Sequence, residues 1–162
     1  KEFLKKLNNK IKINYKNKRL FSNIINKHTF NANLSYGRIF FSNKIYIAGG
    51  EINCSGESIL IEKFPRLDFI CLINLENKKR LFKKFSMYKN INNEALNLNV
   101  EGSLNLINRK INFTRIDNNK NYKANEEDIK YFKEKFENIL FNDGFFKIFN
   151  KNKIKNFLLE IV

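Results

Sequence analysis

Leu96-Asn97-Leu98-Asn99-Val100-Glu101-Gly102-Ser103-Leu104-Asn105-Leu106 alternates apolar and polar residues without a break. A period of two is the mark of a strand with one face buried and one face wet. Leu96, Leu98, Val100, Leu104 and Leu106 share the apolar side with Gly102, whereas Asn97, Asn99, Glu101, Ser103 and Asn105 take the other. Asn108-Arg109 supplies a turn into Lys110–Ile116, where Ile111 and Phe113 alternate with Asn112 and Thr114. This segment therefore predicts an antiparallel hairpin with one apolar face.

Working outward, the same period recurs upstream. Ile11, Ile13 and Tyr15 alternate with polar residues, and Phe30, Ala32, Leu34 and Tyr36 do so again after a basic loop containing His28. Arg38–Phe41 and Lys44–Ala48 read as two short strands joined through Ser42-Asn43, and Gly49-Gly50 provides the positive φ angles of a tight turn into Glu51–Cys54. Ser55-Gly56-Glu57 reads as a further turn before Ser58–Glu62. Phe64-Pro65 interrupts pairing, and Leu67–Ile73, apolar at nearly every position except Asp68, reads as a strand covered on both faces.

Three segments switch to helical spacing. Leu81, Phe82, Phe85 and Tyr88 follow Asn77 as N-cap and predict a short helix inserted between strands. Ile129, Phe132, Phe136, Ile139 and Leu140 form a second stripe behind Asn125 and the acidic Glu126-Glu127-Asp128, with Gly144 as its stop. Ile154, Phe157, Leu158 and Ile161 outline a third helix from Lys151 to Ile161. The expected fold class is mainly β (α+β): one domain over 1–162, with a curved antiparallel sheet and one inserted helix in 1–118 and two helices in 119–162.

Composition bounds the function. At 162 residues and 43% hydrophobic content, with one Pro and six Gly, the chain is able to bury a core and is too apolar for a disordered tail. No stretch approaches the roughly 20 apolar residues of a membrane-spanning helix. The chain starts at Lys1, with Phe3, Leu4 and Leu7 already setting an apolar pattern, and a longer parent is expected. A net charge of +15 suggests an anionic partner, but Lys and Asn are inflated together, as AT-rich coding would produce, and the charge is expected to be spread over the surface.

Catalytic apparatus is not visible. His28 stands without a neighbouring nucleophile or acid in any catalytic pattern and is expected at the surface. No nucleophile elbow, phosphate-binding glycine loop or zinc-binding helix occurs. Glu126-Glu127-Asp128 fan out around a helix end and do not converge on a metal. Cys54 and Cys71, each inside an apparent strand, are expected as buried free thiols; a disulfide would need adjacent strands and an oxidising compartment. Asp68 needs a partner such as Arg66 if its strand is central, or else faces solvent. The basic runs Lys16–Arg19 and Lys78-Lys79-Arg80 lack aromatic residues on the same surface, so nucleic-acid binding is not expected.

Leu7-Asn-Asn-Lys-Ile-Lys-Ile13, Gly50-Glu-Ile-Asn-Cys-Ser-Gly56, Pro65-Arg-Leu-Asp-Phe-Ile-Cys71, Asn77-Lys-Lys-Arg-Leu-Phe-Lys-Lys-Phe85 and the hairpin Leu98–Phe113 together resemble the C-terminal region of AsmA-like proteins, particularly AT-rich alphaproteobacterial ones. The likeness covers roughly residues 4 to 116 and rests on the order of strands, helix and hairpin. It implies a non-catalytic part of an envelope protein, without cofactor or metal, that is periplasmic and held at the inner membrane through an N-terminal segment of its parent. It further implies phospholipid movement or outer-membrane assembly through an apolar β-groove. The residues expected to line such a groove are Phe30, Ala32, Leu34, Tyr36, Leu96, Leu98, Val100 and Leu104, unless the C-terminal helices close over them. The other expectations are a structural or adaptor β-domain that binds a protein partner and, third, a non-specific nucleic-acid binder.

Overall fold

In the computed structural model, which describes residues 2–16, 24–87, 94–118, 121–141, 152 and 155–156, the chain forms a seven-stranded antiparallel sheet. The elements run α1 (Glu2–Lys6), β1 (Asn8–Lys16), β2 (Ile25–Ser35), β3 (Arg38–Ile47), β4 (Gly50–Ile59), β5 (Arg66–Leu75), α2 (Lys78–Lys84), β6 (Leu96–Asn105), β7 (Lys110–Asp117) and α3 (Glu126–Phe141). Spatial order follows chain order from β1 to β7, so every connection joins neighbours and the sheet is an open meander.

Local chemistry fixes the corners. Tyr36 and Gly37 both have positive φ, 50° and 79°, and link Ser35 to Arg38 as a two-residue turn of the primed type that matches strand twist. Tyr36 thus stands at a hairpin tip, 70% exposed, and does not continue the alternation of Phe30, Ala32 and Leu34. At the β6–β7 corner the Asn105 side chain accepts the backbone N–H groups of Ile107 and Asn108, an Asx-type turn. Asn77 caps α2 by accepting the Arg80 N–H at 2.9 Å. Asn125 and Asp128 cap α3 reciprocally, each side chain accepting the other's backbone N–H.

Several strand expectations are corrected. Ser42-Asn43 and Ser55-Gly56-Glu57 are not turns: β3 runs unbroken from Arg38 to Ile47 and β4 from Gly50 to Ile59. Polar residues there alternate faces within a strand, which a propensity reading takes for a break. β5 is not covered on both faces, because Ile70 and Leu72 are 50% and 45% exposed. The N-terminal pattern of Phe3, Leu4 and Leu7 begins in a short helix, α1, which the sequence reading does not contain. Gly144 and the third helix expected over 151–161 lie outside the described residues, apart from helical residues 152, 155 and 156.

The apolar side of the sheet carries the core in two patches. α2 sits at one end, where Leu81, Phe82, Phe85 and Met87 pack with Ile24, Ile47 and Leu75. α3 lies over β7, where Phe113 meets Phe69 and Phe136 edge to face at 6.2 and 5.6 Å. One register row reads Phe41, Gly56, Phe69, Gly102, Phe113 across β3 to β7 and ends in the α3 patch. The missing side chains at the two glycines make room for the rings: a Cβ on Gly56 would meet Phe41 Cε1 at 2.6 Å, and one on Gly102 would meet Phe69 Cζ at 2.9 Å.

Candidate binding face of the sheet

Register decides which side chains can act together. On the apolar side, Ile11, Ala32 and Phe41 align across β1 to β3, and the next row aligns Ile13, Phe30, Asn43, Cys54, Cys71, Val100 and Ile116 across the whole sheet. Leu34, Ile39, Ser58, Leu67, Leu104 and Ile111 form the adjacent row. Phe30, Ala32 and Leu34 of β2 therefore share a face with Leu98, Val100 and Leu104 of β6, with three strands between them.

The two sets have different surroundings. Leu96 packs into the α2 patch, while Val100 and Leu104 pack into the α3 patch. Leu98, opposite Ile73, is half-buried. Phe30, Leu34, Ile39 and Phe41 belong to neither patch among the described residues, and Phe30 stacks on Phe41 with ring centroids 6.4 Å apart and planes inclined by 24°. The apolar surface continues to the sheet edge through Ile11 and Ile13, which are 46% and 50% exposed. Of the residues expected to line a groove, those of β6 thus lie at or between the helix-covered patches, Phe30 and Leu34 of β2 lie in the open part, Ala32 is buried between its neighbours, and Tyr36 is at the hairpin tip. Ile39 and Phe41 were missed because β3 was split in two; the regular alternation of Ile39, Phe41, Ile45 and Ile47 was the available signal.

A disulfide crosses this face. Cys54 and Cys71 occupy directly opposed positions on β4 and β5 and are bonded, with Cα atoms 4.1 Å apart, corresponding to the narrow type of antiparallel pair. The expectation of free thiols is thereby corrected. Once β4 is continuous through Ser55-Gly56-Glu57, the two cysteines meet across a single hairpin, and the false turn concealed that pairing.

His28 lies within β2, not in a loop before it, and its Nε2 contacts Asn43 Oδ1 on the apolar side. The opposite face is mixed: it carries paired charges together with the exposed side chains of Phe40, Ile70 and Leu72. Arg66 joins Asp68 at 3.3 Å, leaving Asp68 on the solvent side with the partner anticipated for it. Arg115 joins both Glu101 and Asp117 and is held more firmly protonated, by Asp117 first. Lys44 binds Glu51 at 3.0 Å; the Asn53 amide and then Lys44 lower the Glu51 pKa. A shallow depression of about 550 Å³ lies on this side between Phe40, Ser55, Asp68, Ile70, Glu101 and Thr114.

Charge is segregated along the sheet and not spread evenly. Strands β1 to β3 contain Lys10, Lys12, Lys16, Lys27, Arg38 and Lys44 and no carboxylate. Strands β4 to β7 contain Glu51, Glu57, Asp68, Glu101 and Asp117 against Arg66, Lys110 and Arg115. Among the described residues no group of three or more His, Cys, Asp or Glu side chains is placed to hold a metal, and no helix is long and apolar enough to cross a membrane. Comparison with known proteins yields no matching family model, no matching curated protein and no matching solved structure.

Proposed function

We propose that the chain is a non-catalytic part of an AsmA-like envelope protein and that the open part of its apolar sheet face receives the acyl chains of phospholipid. The observation that carries this reading is the surface formed by Ile11, Ile13, Phe30, Leu34, Ile39 and Phe41, which lies outside both helix-covered patches among the described residues. Contiguous apolar surface of this kind marks a site for a partner or ligand. Its lining is aliphatic and aromatic along the paired strands β1 to β3, a form suited to extended hydrocarbon. The Cys54–Cys71 disulfide supports a compartment outside the reducing cytoplasm, as in the periplasm.

The experiment uses the purified chain and vesicles containing diazirine-labelled phosphatidylethanolamine. After irradiation, crosslinked lipid is expected on peptides carrying Phe30 to Phe41, and Phe30→Asp is expected to abolish it while leaving circular dichroism unchanged. Crosslinking that is absent, or that survives Phe30→Asp undiminished, overturns the assignment.

A further inference from the structure

The two edges of the sheet are treated differently. At β7 the chain closes its own edge: Glu137 of α3 accepts the Ile111 backbone N–H at 2.9 Å, Ile116 C=O accepts the Ala124 N–H at 2.8 Å, and Asp117 forms a bridge with Lys123. At β1 no strand, helix or loop among the described residues pairs with the outward edge. β1 is 9 residues long, pairs with β2 without a bulge from Asn8 to Lys16 and contains no proline. A long regular edge with unpaired backbone groups is a template for strand addition.

Its side chains specify the guest. Alternation sets Ile11 and Ile13 on the apolar side and Lys10, Lys12 and Lys16 on the other. Lys16 faces Lys27 directly across the ladder, a like-charge pair that an added carboxylate would relieve. With no acid anywhere in β1 to β3, the positive field at this edge is not neutralised within its own strands. A second copy of the chain fits poorly, because antiparallel β1–β1 pairing would set lysine against lysine.

We infer that β1 is a docking edge for an extended segment of another protein that alternates acidic and apolar residues, adding an eighth strand with its carboxylates over Lys10, Lys12 and Lys16 and its apolar side chains beside Ile11 and Ile13. The edge shares Ile11 and Ile13 with the apolar face assigned to lipid, but strand addition uses the outward backbone groups of β1, and the inference does not rest on that assignment.

The test uses the unaltered chain and three labelled peptides of β1's length (9 residues). One alternates Glu and Val, one has the same composition with all Glu at one end, and one replaces Glu by Lys. Fluorescence anisotropy is expected to rank the alternating acidic peptide about tenfold tighter than its clustered isomer, the factor expected when several opposite-charge cross-strand pairs form. The Lys peptide is expected to show no binding. Hydrogen exchange should slow at β1 amides alone, and Lys10→Glu/Lys12→Glu/Lys16→Glu should reverse the preference toward the Lys peptide. Equal affinity for the two acidic peptides reveals mere attraction to a basic chain and overturns the inference. Protection away from β1 does so as well, as does a β1-mediated dimer that excludes every peptide.

Discussion

Removing the Cys54–Cys71 bond tests the register at the centre of the sheet. The cysteines are 17 positions apart, and a loop of that length restricts the unfolded chain by about 3 kcal/mol of conformational entropy. Cys54→Ala/Cys71→Ala removes this constraint and little else, since both side chains are only half-buried. For a chain of this size, about 3 kcal/mol corresponds to a fall in Tm of roughly 6–12 °C. The urea m-value should rise, because the uncrosslinked unfolded state exposes more surface. The wild-type chain in dithiothreitol should behave like the double variant. Two thiols titrating in the native oxidised chain would show that β4 and β5 are not paired in this register. A variant matching the wild type in both Tm and m would refute the entropic argument.

The apolar face should divide in two under mutation. Val100→Asp places a charge in the α3 patch and is expected to cost about 3 kcal/mol or more, whereas Ile13→Asp, at a half-exposed edge position, should cost about 0.5 kcal/mol; equal costs in urea unfolding would mean that the face is uniformly covered or uniformly open. Phe113→Ala, at the junction of β7, Phe69 and Phe136, should lose about 3–5 kcal/mol, and a loss below about 1 kcal/mol would show that α3 does not pack there. The Asn53 amide and then Lys44 lower the folded pKa of Glu51, so its contribution to stability is present above the ordinary carboxylate range and is lost as pH falls through the folded value. Asn53→Ala should therefore raise the Glu51 midpoint in a carboxyl NMR titration, and an unmoved midpoint would remove that hydrogen bond from the account.

The sequence by itself determined the class of fold and the inner side of its regularly alternating strands. Leu96 to Leu106 and Lys110 to Ile116 announce a one-faced hairpin because side chains alternate across a strand, and this periodicity needs no knowledge of neighbours. Asn77 and Asn125 were legible as helix caps for the same reason: the capping bonds span only three residues. What lies across the sheet was not legible. Whether Ser55-Gly56-Glu57 is a turn or the middle of β4 is settled by its pairing with β3 and β5, where the Phe41 ring takes the space beside Gly56, and these partners come from other strands. The pairing of Cys54 with Cys71 followed from that continuity. The candidate face divided in the same way: Phe30, Ala32, Leu34, Val100 and Leu104 were marked as sharing one side, but tertiary packing decided that the last two pack into the cluster around Ile111, Phe113 and Ile116. The open edge at β1 and the closed edge at β7 were likewise decided by which distant groups reach the outward backbone, through contacts between residues such as Ile111 and Glu137 that no local pattern encodes.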